Sequence, residues 1–466
     1  MHDHFDHDSL RILQSALEKL ESGFENLPNS SAGGASLNKP AQVSRDQQAF
    51  ESIITQVAAR MQNNYPYFHP LYAGQMLKPP HPIARTAYAL AMYLNPNNHA
   101  LDGSRASSPM EKECVEQIAG MFGWSSHLGH LTSGGTMANL EALWVAGQLH
   151  PGKKIIASEL SHYTHKRISG VLGLEYEPVP CDVAGRMNVP ALRERMKRGD
   201  VGTVVATVGT TGIGSIDPVH ELLELQKEFE FRIQADAAYG GYFTLAENLK
   251  PEARRSFDAL ANVDSIVIDP HKHGLQPYGC GCVLFRDPAV GRFYKHDSPY
   301  TYFTSDDLHL GEISLECSRA GASAVALWAT MELFPLEPGG AFAKMLEAGR
   351  RAALKLHERI SSDNRFVPAF APELDIVVWA VRAKSVSESS LLARRIFDEA
   401  AMRDLHLALA TLPVKFFKFT HADVQIDQES VICLRSVLMK PEHLAWVDEI
   451  WNRLNAATET VLRVKE

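Results

Sequence analysis

Cysteine is scarce in this chain, with six residues among 466. Cys280 and Cys282 are separated by one glycine in a stretch that has the pattern of a buried strand. Six thiols in so long a chain do not make the disulfide framework of a small secreted domain. The first ten residues, MHDHFDHDSL, also lack the apolar segment of a secretory signal. We therefore expect reduced thiols and a cytoplasmic protein.

An excess of basic residues is missing too. The chain has 46 Lys and Arg against 55 Asp and Glu, which gives a net charge of -9. A balance of this sign argues against binding to nucleic acid or to an anionic membrane surface. No apolar run is long enough to cross a bilayer. The sequence therefore predicts neither a nucleic-acid partner nor a membrane partner.

Metal-binding motifs are absent as well. The sequence contains no HExxH motif and no paired CxxC motifs. His162 and His165 form one histidine pair, and His271 with His273 forms another. A zinc site needs three or four such ligands at fixed spacings, which these pairs do not offer. We predict no metal site.

What is present is an ordinary globular composition, 45% hydrophobic and 22% charged, with length for more than one domain. The segment SLRILQSALEKLESGFENL repeats apolar residues at helical spacing, and the turn-rich stretch PNSSAGGASLNKPAQ follows it. A second helical pattern, DQQAFESIITQVAARMQNN, comes next. We predict that residues 1–95 form a helical N-terminal segment.

From about residue 96 onwards, helical and strand patterns alternate. The strands are short and apolar: KKIIAS, VGTVVATV, FRIQAD, DSIVID and GCVLFRD. This alternation is typical of an α/β fold with a mostly parallel sheet flanked by helices. We predict a large α/β domain over residues 96–335. Residues 336–466 begin with a long helix and contain further strands such as DIVVWAV, so we predict a smaller α+β domain there.

Residues with chemical potential follow several of these strands, where ligands of open α/β sheets bind. TSGGT, at residues 132–136, opens a helix whose free N–H groups can bind an anion. His162 follows one strand, Asp236 ends another, and Lys272 follows a third. Each of these has an ordinary structural explanation when taken alone. Together they are the parts of a pyridoxal phosphate site: a phosphate grip, a ring to stack, an acid for the pyridine nitrogen and a Schiff-base lysine.

The chain resembles the group II pyridoxal-phosphate-dependent amino-acid decarboxylases, which include aromatic-amino-acid and glutamate decarboxylases. The motifs that carry the resemblance stand in the family's order: TSGGTMANLEAL, SELSHYTHKR, ATVGTTGIGSIDPV, ADAAYGG, DPHKHG and LRSVL. The resemblance implies fold type I, the aspartate-aminotransferase-like architecture. It implies pyridoxal 5′-phosphate as cofactor and the conversion of an L-amino acid to its amine and CO2. It also implies a homodimer with shared active sites and an exchanged N-terminal arm.

The family's cofactor contacts carry over position by position. Lys272 corresponds to the Schiff-base lysine, Asp236 to the carboxylate on the pyridine nitrogen, and His162 to the histidine that stacks on the ring. The other cofactor-binding positions implied are Gly135, Thr136, Thr210, Thr211, Ala238 and His271.

The family's substrate contacts can also be assigned. Arg435 corresponds to an arginine that grips the α-carboxylate in some members, a role that suits the guanidinium fork. Phe68 and His69, in the aromatic stretch YPYFHPLY, match the region that shapes the substrate pocket. The aromatic residues of this region favour an aromatic substrate, or they only pack in the core. The proton donor in the family is commonly a loop tyrosine, for which Tyr300 and Tyr302 are the candidates; we assign Tyr302.

Three positions have no match in the family pattern. Gln234 stands where a histidine usually precedes the cofactor aspartate by two residues. The family often has an asparagine where Asp269 stands, and the aspartate adds a negative charge close to Lys272. His273 has no family role, which leaves a contact with the substrate or with a partner subunit open.

Other functions remain open at this point. A phosphosphingolipid-lyase-like carbon–carbon lyase or an aminotransferase would use the same cofactor grip. A non-catalytic protein on the same fold is a third possibility, against which the joint retention of Lys272, Asp236 and His162 argues.

Overall fold

The computed structural model describes residues 7–22, 43–295, 309–419 and 424–463. Among these residues, no helix has the length and the apolar character needed to span a membrane.

The central sheet has seven strands and contains the residues with predicted chemistry at its strand ends. The strands are β1 (Leu128–Thr132), β2 (Lys154–Ser158), β3 (Tyr176–Val179), β4 (Val201–Thr207), β5 (Arg232–Asp236), β6 (Ser265–Ile268) and β7 (Gly281–Phe285). Their order is β1-β7-β6-β5-β4-β2-β3, and β7 is antiparallel to both of its neighbours, while the other adjacent strands are parallel. Strands β4, β6 and β7 are buried along their whole length, as expected for a sheet with helices on both faces. The predicted α/β fold class is confirmed.

Seven α-helices in the described part of residues 96–335 accompany this sheet. They are α4 (Ser107–Met121), α5 (Gly135–Leu149), α6 (Thr164–Leu172), α7 (Val189–Met196), α8 (Val219–Gln226), α9 (Pro251–Ala259) and α10 (Gly321–Leu333). Helix α5 packs across β6 and β7, and its buried residues are mostly alanine, leucine and valine. Such small and apolar side chains allow the helix to lie close against the strands.

A second sheet follows in the chain. It has four antiparallel strands in the order β10-β11-β9-β8: β8 (Phe366–Pro368), β9 (Ile376–Val381), β10 (Ala408–Pro413) and β11 (Ser430–Val437). The helices α11 (Ala341–Ser361), α12 (Val386–Ala401) and α13 (His443–Arg463) pack on it around the fully buried Trp379. The predicted boundary at residue 335 falls between α10 and α11, and the three-domain division stays a prediction.

Part of the N-terminal region belongs to this second core. Leu71 and Ala73 pack within it. The Ala73 N–H donates to the carbonyl oxygen of His406 at 2.9 Å, and the Val437 N–H donates to the carbonyl oxygen of Ala73 at 2.7 Å. The irregular stretch around residue 72 therefore lies beside the end of the strand that contains Arg435.

The two helices predicted from the N-terminal patterns are present as α1 (His7–Ser22) and α2 (Val43–Met61), and a third helix that was not predicted, α3 (Pro82–Met92), follows them. Helix α1 lies against α3. Helix α2 exposes five large apolar side chains at helical spacing: Phe50, Ile53, Ile54, Val57 and Met61, which are 49–66% exposed. These five residues are called the α2 apolar face below.

Candidate active site

A cavity of about 330 Å³ lies beyond the carboxyl ends of β4, β5 and β6. The start of α5, the residues between β2 and α6, and the turn after β6 complete its walls. The predicted residues that line it are Gly135, Thr136, His162, Thr211, Asp236, Ala238, His271 and Lys272. The chain therefore brings together residues that are up to 137 positions apart in sequence.

Lys272 lies in the turn that follows β6, and its amine is paired. Its Nζ is 3.1 Å from Oδ2 of Asp269, whose side chain is 3% exposed. The expectation that Asp269 adds a negative charge close to Lys272 is confirmed. The second oxygen, Oδ1, has no hydrogen-bond partner among the described residues. The Asp269 carboxylate thus holds the lysine amine inside the cavity and keeps one acceptor free.

Asp236 ends β5, and a buried histidine fixes its orientation. Its Oδ2 is 2.7 Å from Nε2 of His165, and its Oδ1 accepts the N–H of Ala238 at 3.2 Å. Burial alone would raise the pKa of Asp236, but the hydrogen bond and charge of His165 and the charge of Lys272 outweigh it. The pKa of this carboxyl therefore lies well below its usual value. Asp236 is an ionised acceptor, as a pyridine nitrogen that must stay protonated requires.

The sequence reasoning missed His165, which it considered only as a metal ligand. His165 is fully buried in the first turn of α6, three residues after His162. His162 itself lies before the first residue of α6. Gln234, which replaces the usual histidine of the family, donates instead to Asn139 Oδ1 at 2.6 Å. In this chain an imidazole reaches Asp236 from α6.

His162 is placed to cover the face of a flat ligand. It lines the cavity, and its Nδ1 is 2.8 Å from the hydroxyl oxygen of Thr164, which fixes the ring. Burial lowers the pKa of His162, which favours the neutral imidazole. Ala238 also lines the cavity and, as a small residue, leaves room for a ring. These positions fit the predicted stacking pair.

The start of α5 forms the anion cradle. Gly134 precedes the helix with φ +148, a conformation that favours glycine. A Cβ atom on Gly135 would lie 2.6 Å from Oδ2 of Asp269, so this position also has room only for glycine. The first N–H groups of a helix have no partner within it, and they attract a phosphate. Ser133, which the sequence reasoning placed in this cradle, donates its N–H to Oε2 of Glu316 at 2.9 Å.

His271 stands between the cradle and the strand β7. Its Nδ1 is 2.8 Å from the carbonyl oxygen of Cys280, so this nitrogen donates, and its Nε2 lies 3.6 Å from Oδ2 of Asp269. Burial lowers the pKa of His271. The ring is a neutral neighbour of the cradle, consistent with a position near a phosphate.

Four predicted residues do not line the cavity. Thr210 is buried and accepts the N–H of Ser215 at 3.0 Å, although its neighbours Gly209 and Thr211 line the wall. Phe68 is 36% exposed, and the ring of His69 packs edge-on against Trp446 with centroids 5.0 Å apart. The fourth is Arg435, which lies on β11 of the second sheet. Tyr300 and Tyr302 lie outside the described residues. The roles assigned to these residues stay predictions.

The geometry fits pyridoxal 5′-phosphate. The Gly134–Gly135 turn would hold the phosphate, His162 and Ala238 would flank the ring, and Asp236 would hold the ring nitrogen. Lys272 would supply the amine. Within the described ranges, no cluster of three His, Cys, Asp or Glu residues suits a metal ion.

Comparisons with known proteins agree with this geometry. The family model described as "Pyridoxal-dependent decarboxylase conserved domain" matches residues 34–382. A "Probable L-tyrosine/L-aspartate decarboxylase" of Methanothermobacter thermautotrophicus is 31% identical over 262 residues, which cover 56% of this chain and 70% of that protein. An "L-tyrosine decarboxylase" of Enterococcus faecium is 25% identical, with 72% of each chain covered.

Solved structures show the same fold. Oryza sativa TDC with PLP and tryptamine has a TM-score of 0.77 at 17% identity and covers 98% of this chain and 99% of its own. Mouse CSAD in apo form has a TM-score of 0.75 at 19% identity and covers 96% and 99%. The chain belongs to the pyridoxal-dependent decarboxylases, and its cofactor is pyridoxal 5′-phosphate.

Proposed function

We propose that the protein removes the α-carboxyl group of an aromatic L-amino acid, L-tyrosine in the first place, and releases the amine and CO2. The observation that carries the chemistry is the convergence of Lys272, Asp236 and the anion cradle of α5 in one cavity. The names of the two relatives, which both include L-tyrosine, support the choice of substrate.

Each cavity residue has a defined task in this reaction. When bound, pyridoxal 5′-phosphate supplies an electron sink for the carbon that loses CO2. Asp236, which His165 keeps ionised, holds a proton on the ring nitrogen and so strengthens that sink. His162 keeps the ring in place and excludes water from one face. Lys272 would hold the cofactor through its amine, which lies in the cavity beside Asp269.

Arg435 is the proposed grip for the substrate carboxylate. It is buried, and it donates to the carbonyl oxygens of Thr211 at 2.7 Å and Gly212 at 3.0 Å. It also donates to Gly74 O at 3.3 Å and to Gln75 Oε1 at 3.2 Å. Burial lowers the pKa of Arg435, and the guanidinium forms no ion pair with a carboxylate of the described part of the chain. A buried cation held by neutral oxygens favours an anionic ligand.

The aromatic rings next to Arg435 support the proposal that the substrate has an aromatic side chain. Tyr67 and Tyr72 pack edge-on with centroids 5.0 Å apart. Burial, with Tyr67, raises the pKa of Tyr72 to about 12, so its phenol stays protonated. Tyr278 joins this group to the cavity, because its ring lies 4.9 Å from that of His271. Such a group of rings can pack against a substrate ring.

A panel of L-amino acids tests the proposal. Holoenzyme is incubated with L-tyrosine, L-phenylalanine, L-tryptophan, L-aspartate and L-glutamate, and CO2 and the organic product are both quantified. We expect CO2 and the amine in equal amounts, with L-tyrosine fastest. CO2 release from L-aspartate alone would reject the aromatic assignment. A keto acid or an aldehyde in place of the amine would reject simple decarboxylation.

The homodimer and the cytoplasmic location are part of the proposal. Among the residues that the structure describes, none covers the α2 apolar face, and five exposed apolar side chains on one helix suit a contact with a second copy. All six cysteines are free, and five of them are buried, which agrees with a reducing compartment.

A further inference from the structure

The turn that carries Lys272 is tied to the second sheet by a buried hydrogen-bonded group. His273, next to Lys272, is 2% exposed and does not line the cavity. Its Nδ1 is 2.9 Å from the carbonyl oxygen of Tyr239, and its Nε2 is 2.8 Å from Oδ2 of Asp375. Both ring nitrogens therefore face acceptors, and the ring donates to the Tyr239 carbonyl oxygen and to the Asp375 carboxylate.

Tyr239 completes the group. Its hydroxyl donates to Oδ1 of Asp375 at 2.6 Å, and both Tyr239 and Asp375 are almost fully buried. Tyr239 also lines the cavity and directly follows Ala238. The Tyr239–Asp375–His273 triad therefore contacts two of the chain segments that surround the cofactor, the one after β5 and the one after β6.

Asp375 reaches these segments from the other sheet. It stands immediately before β9, and its carbonyl oxygen accepts the N–H of Leu438 at 2.8 Å. Strand β9 pairs with β11, where Val378 lies opposite Arg435. One short path through hydrogen bonds and strand pairing thus leads from the turn of Lys272 to Arg435.

The residues before Asp375 strengthen this contact. Glu373 accepts the N–H of Ile216 through Oε2 at 2.8 Å. Leu374 packs against two glycines: a Cβ atom on Gly209 would lie 3.0 Å from Leu374 Cδ1, and one on Gly240 would lie 3.1 Å from it. The segment docks closely against a wall of the cavity, so a displacement of Asp375 is transmitted to that wall.

We infer that the Tyr239–Asp375–His273 triad is a positioning device that fixes the placement of Lys272 relative to Arg435 and thereby sets the affinity for the substrate carboxylate. The inference rests on the proposed function only in the role of Arg435. A buried His–carboxylate pair contributes little net stability, because desolvation offsets the attraction. What such a pair supplies is a fixed geometry, and here the geometry is that of the two groups that hold the amino acid.

Two substitutions at one position separate the contacts of His273. His273→Gln keeps a donor where Nε2 lies and retains the bond to Asp375. His273→Asn keeps a donor where Nδ1 lies and retains only the bond to Tyr239. Asp375→Asn removes the carboxylate with little change of shape. The matched control is Glu141→Gln, because His130 and Glu141 form another buried pair, 2.9 Å apart, away from the cavity.

The measured quantity is the concentration of L-tyrosine at which half of the change in the absorption spectrum of the holoenzyme has occurred. This binding titration does not require turnover. We expect it to rise by about 10- to 100-fold in Asp375→Asn and in His273→Asn, the range that follows from losing a hydrogen bond to a charged group. We expect His273→Gln and Glu141→Gln to stay close to the wild type. In an Arg435→Ala background, Asp375→Asn should add no further loss, because the two act on one contact.

Equal losses in His273→Asn and His273→Gln would overturn the inference, as would additive losses in the Arg435→Ala background. If Asp375→Asn does not fold, the two His273 variants still decide. If no amino acid perturbs the spectrum of the wild type, the proposed function fails, and the triad is tested on the release of Lys272 by hydroxylamine. That release should be about tenfold faster in His273→Asn than in His273→Gln, and equal rates would reject the triad.

Discussion

At the scale of single residues, Asp236 and Lys272 have opposite requirements. Asp236 must stay ionised, and its contacts with His165 and Ala238 achieve this by favouring the carboxylate over the acid. In the proposed reaction Lys272 would instead bond with the cofactor through its amine, and its partner Asp269 lies beside the anion cradle at Gly135. The cavity is thus lined by an ionised carboxylate and by an amine that is paired with a second carboxylate.

Asp236→Ala tests the fixed charge. We expect the turnover rate to fall by about 100-fold or more, because a preorganised charge at the reacting system is lost, and we expect weaker cofactor binding. Steady-state kinetics and cofactor titration by absorbance measure the two effects. A mild effect on both would mean that another group holds the ring nitrogen.

His165 is the side chain that contacts Asp236 in this chain, where Gln234 replaces the usual histidine of the family. His165→Phe should weaken cofactor binding by about 10- to 100-fold, since Asp236 loses a hydrogen bond to a charged group. His165→Gln, which keeps a donor near Oδ2, should retain most of the affinity. Fluorescence titration of the apoprotein with pyridoxal 5′-phosphate compares the variants, and identical affinities for both would remove His165 from the site.

The sequence was sufficient to predict that Lys272, Asp236 and His162 lie in one site, because each stands in a motif that matches one task of a cofactor site; all three line the cavity, and their roles there stay predictions. It was not sufficient for His165, nor for the partner of His273. Those contacts join residues 71 and 102 positions apart, and only the packing of α6 and of the second sheet brings them together. A local pattern contains no information on such distances.

At the scale of elements, α2 is a helix whose apolar side chains are exposed to solvent in the single chain. Val57→Glu places a charge within the α2 apolar face and should convert the proposed dimer to monomers. Ala59→Glu is the matched control, because Ala59 lies on the opposite side of the same helix from Phe50. Sedimentation velocity measures both variants. A wild-type monomer, or a dimer that survives Val57→Glu, would contradict the proposed contact.

The start of α13 gives a pH prediction. His443 is fully buried there, and burial, with Lys440, lowers its pKa to about 3. The folded state therefore keeps this histidine neutral, while the unfolded chain protonates it below its usual pKa near 6.5. The contribution of the neutral His443 to the free energy of unfolding is therefore complete above that pKa, and it is lost as the pH falls towards 3.

When the pH is lowered from 7 to 5, His443 should reduce the free energy of unfolding by about 2 kcal/mol. His443→Asn, whose amide oxygen can still accept the N–H of Lys440, should remove this part of the loss. Urea unfolding at the two pH values measures the difference within each variant. Equal losses in the wild type and in the variant would show that His443 does not titrate in this range.

Predictability also varied between elements. The apolar runs KKIIAS, DSIVID and GCVLF were correctly read as β2, β6 and β7, since they are buried on both faces. Strands β3 and β10 were missed because they alternate irregularly between buried and partly exposed residues and contain proline. Their strand state depends on neighbours in the sheet rather than on their own pattern.

At the scale of the whole molecule, the proposed site draws on two sheets. The seven-stranded sheet supplies Lys272, Asp236 and the anion cradle to the cavity, and the four-stranded sheet contains Arg435, which lies outside the cavity lining and is proposed to hold the substrate carboxylate. The α/β class could be predicted from the alternation of patterns. The packing of residues 71–73 in the second core could not, because their aromatic and proline-rich sequence carries no strand or helix period.

The central claim is that Lys272 and pyridoxal 5′-phosphate together release CO2 from an L-amino acid. The most direct measurement uses L-tyrosine labelled with ¹³C at the carboxyl carbon and follows labelled CO2 and amine with wild-type holoenzyme and with Lys272→Ala. We predict one CO2 for each amine in the wild type, and no turnover in a folded Lys272→Ala variant. Labelled CO2 from Lys272→Ala at the wild-type rate would contradict the account, as would an amine that still carries the label.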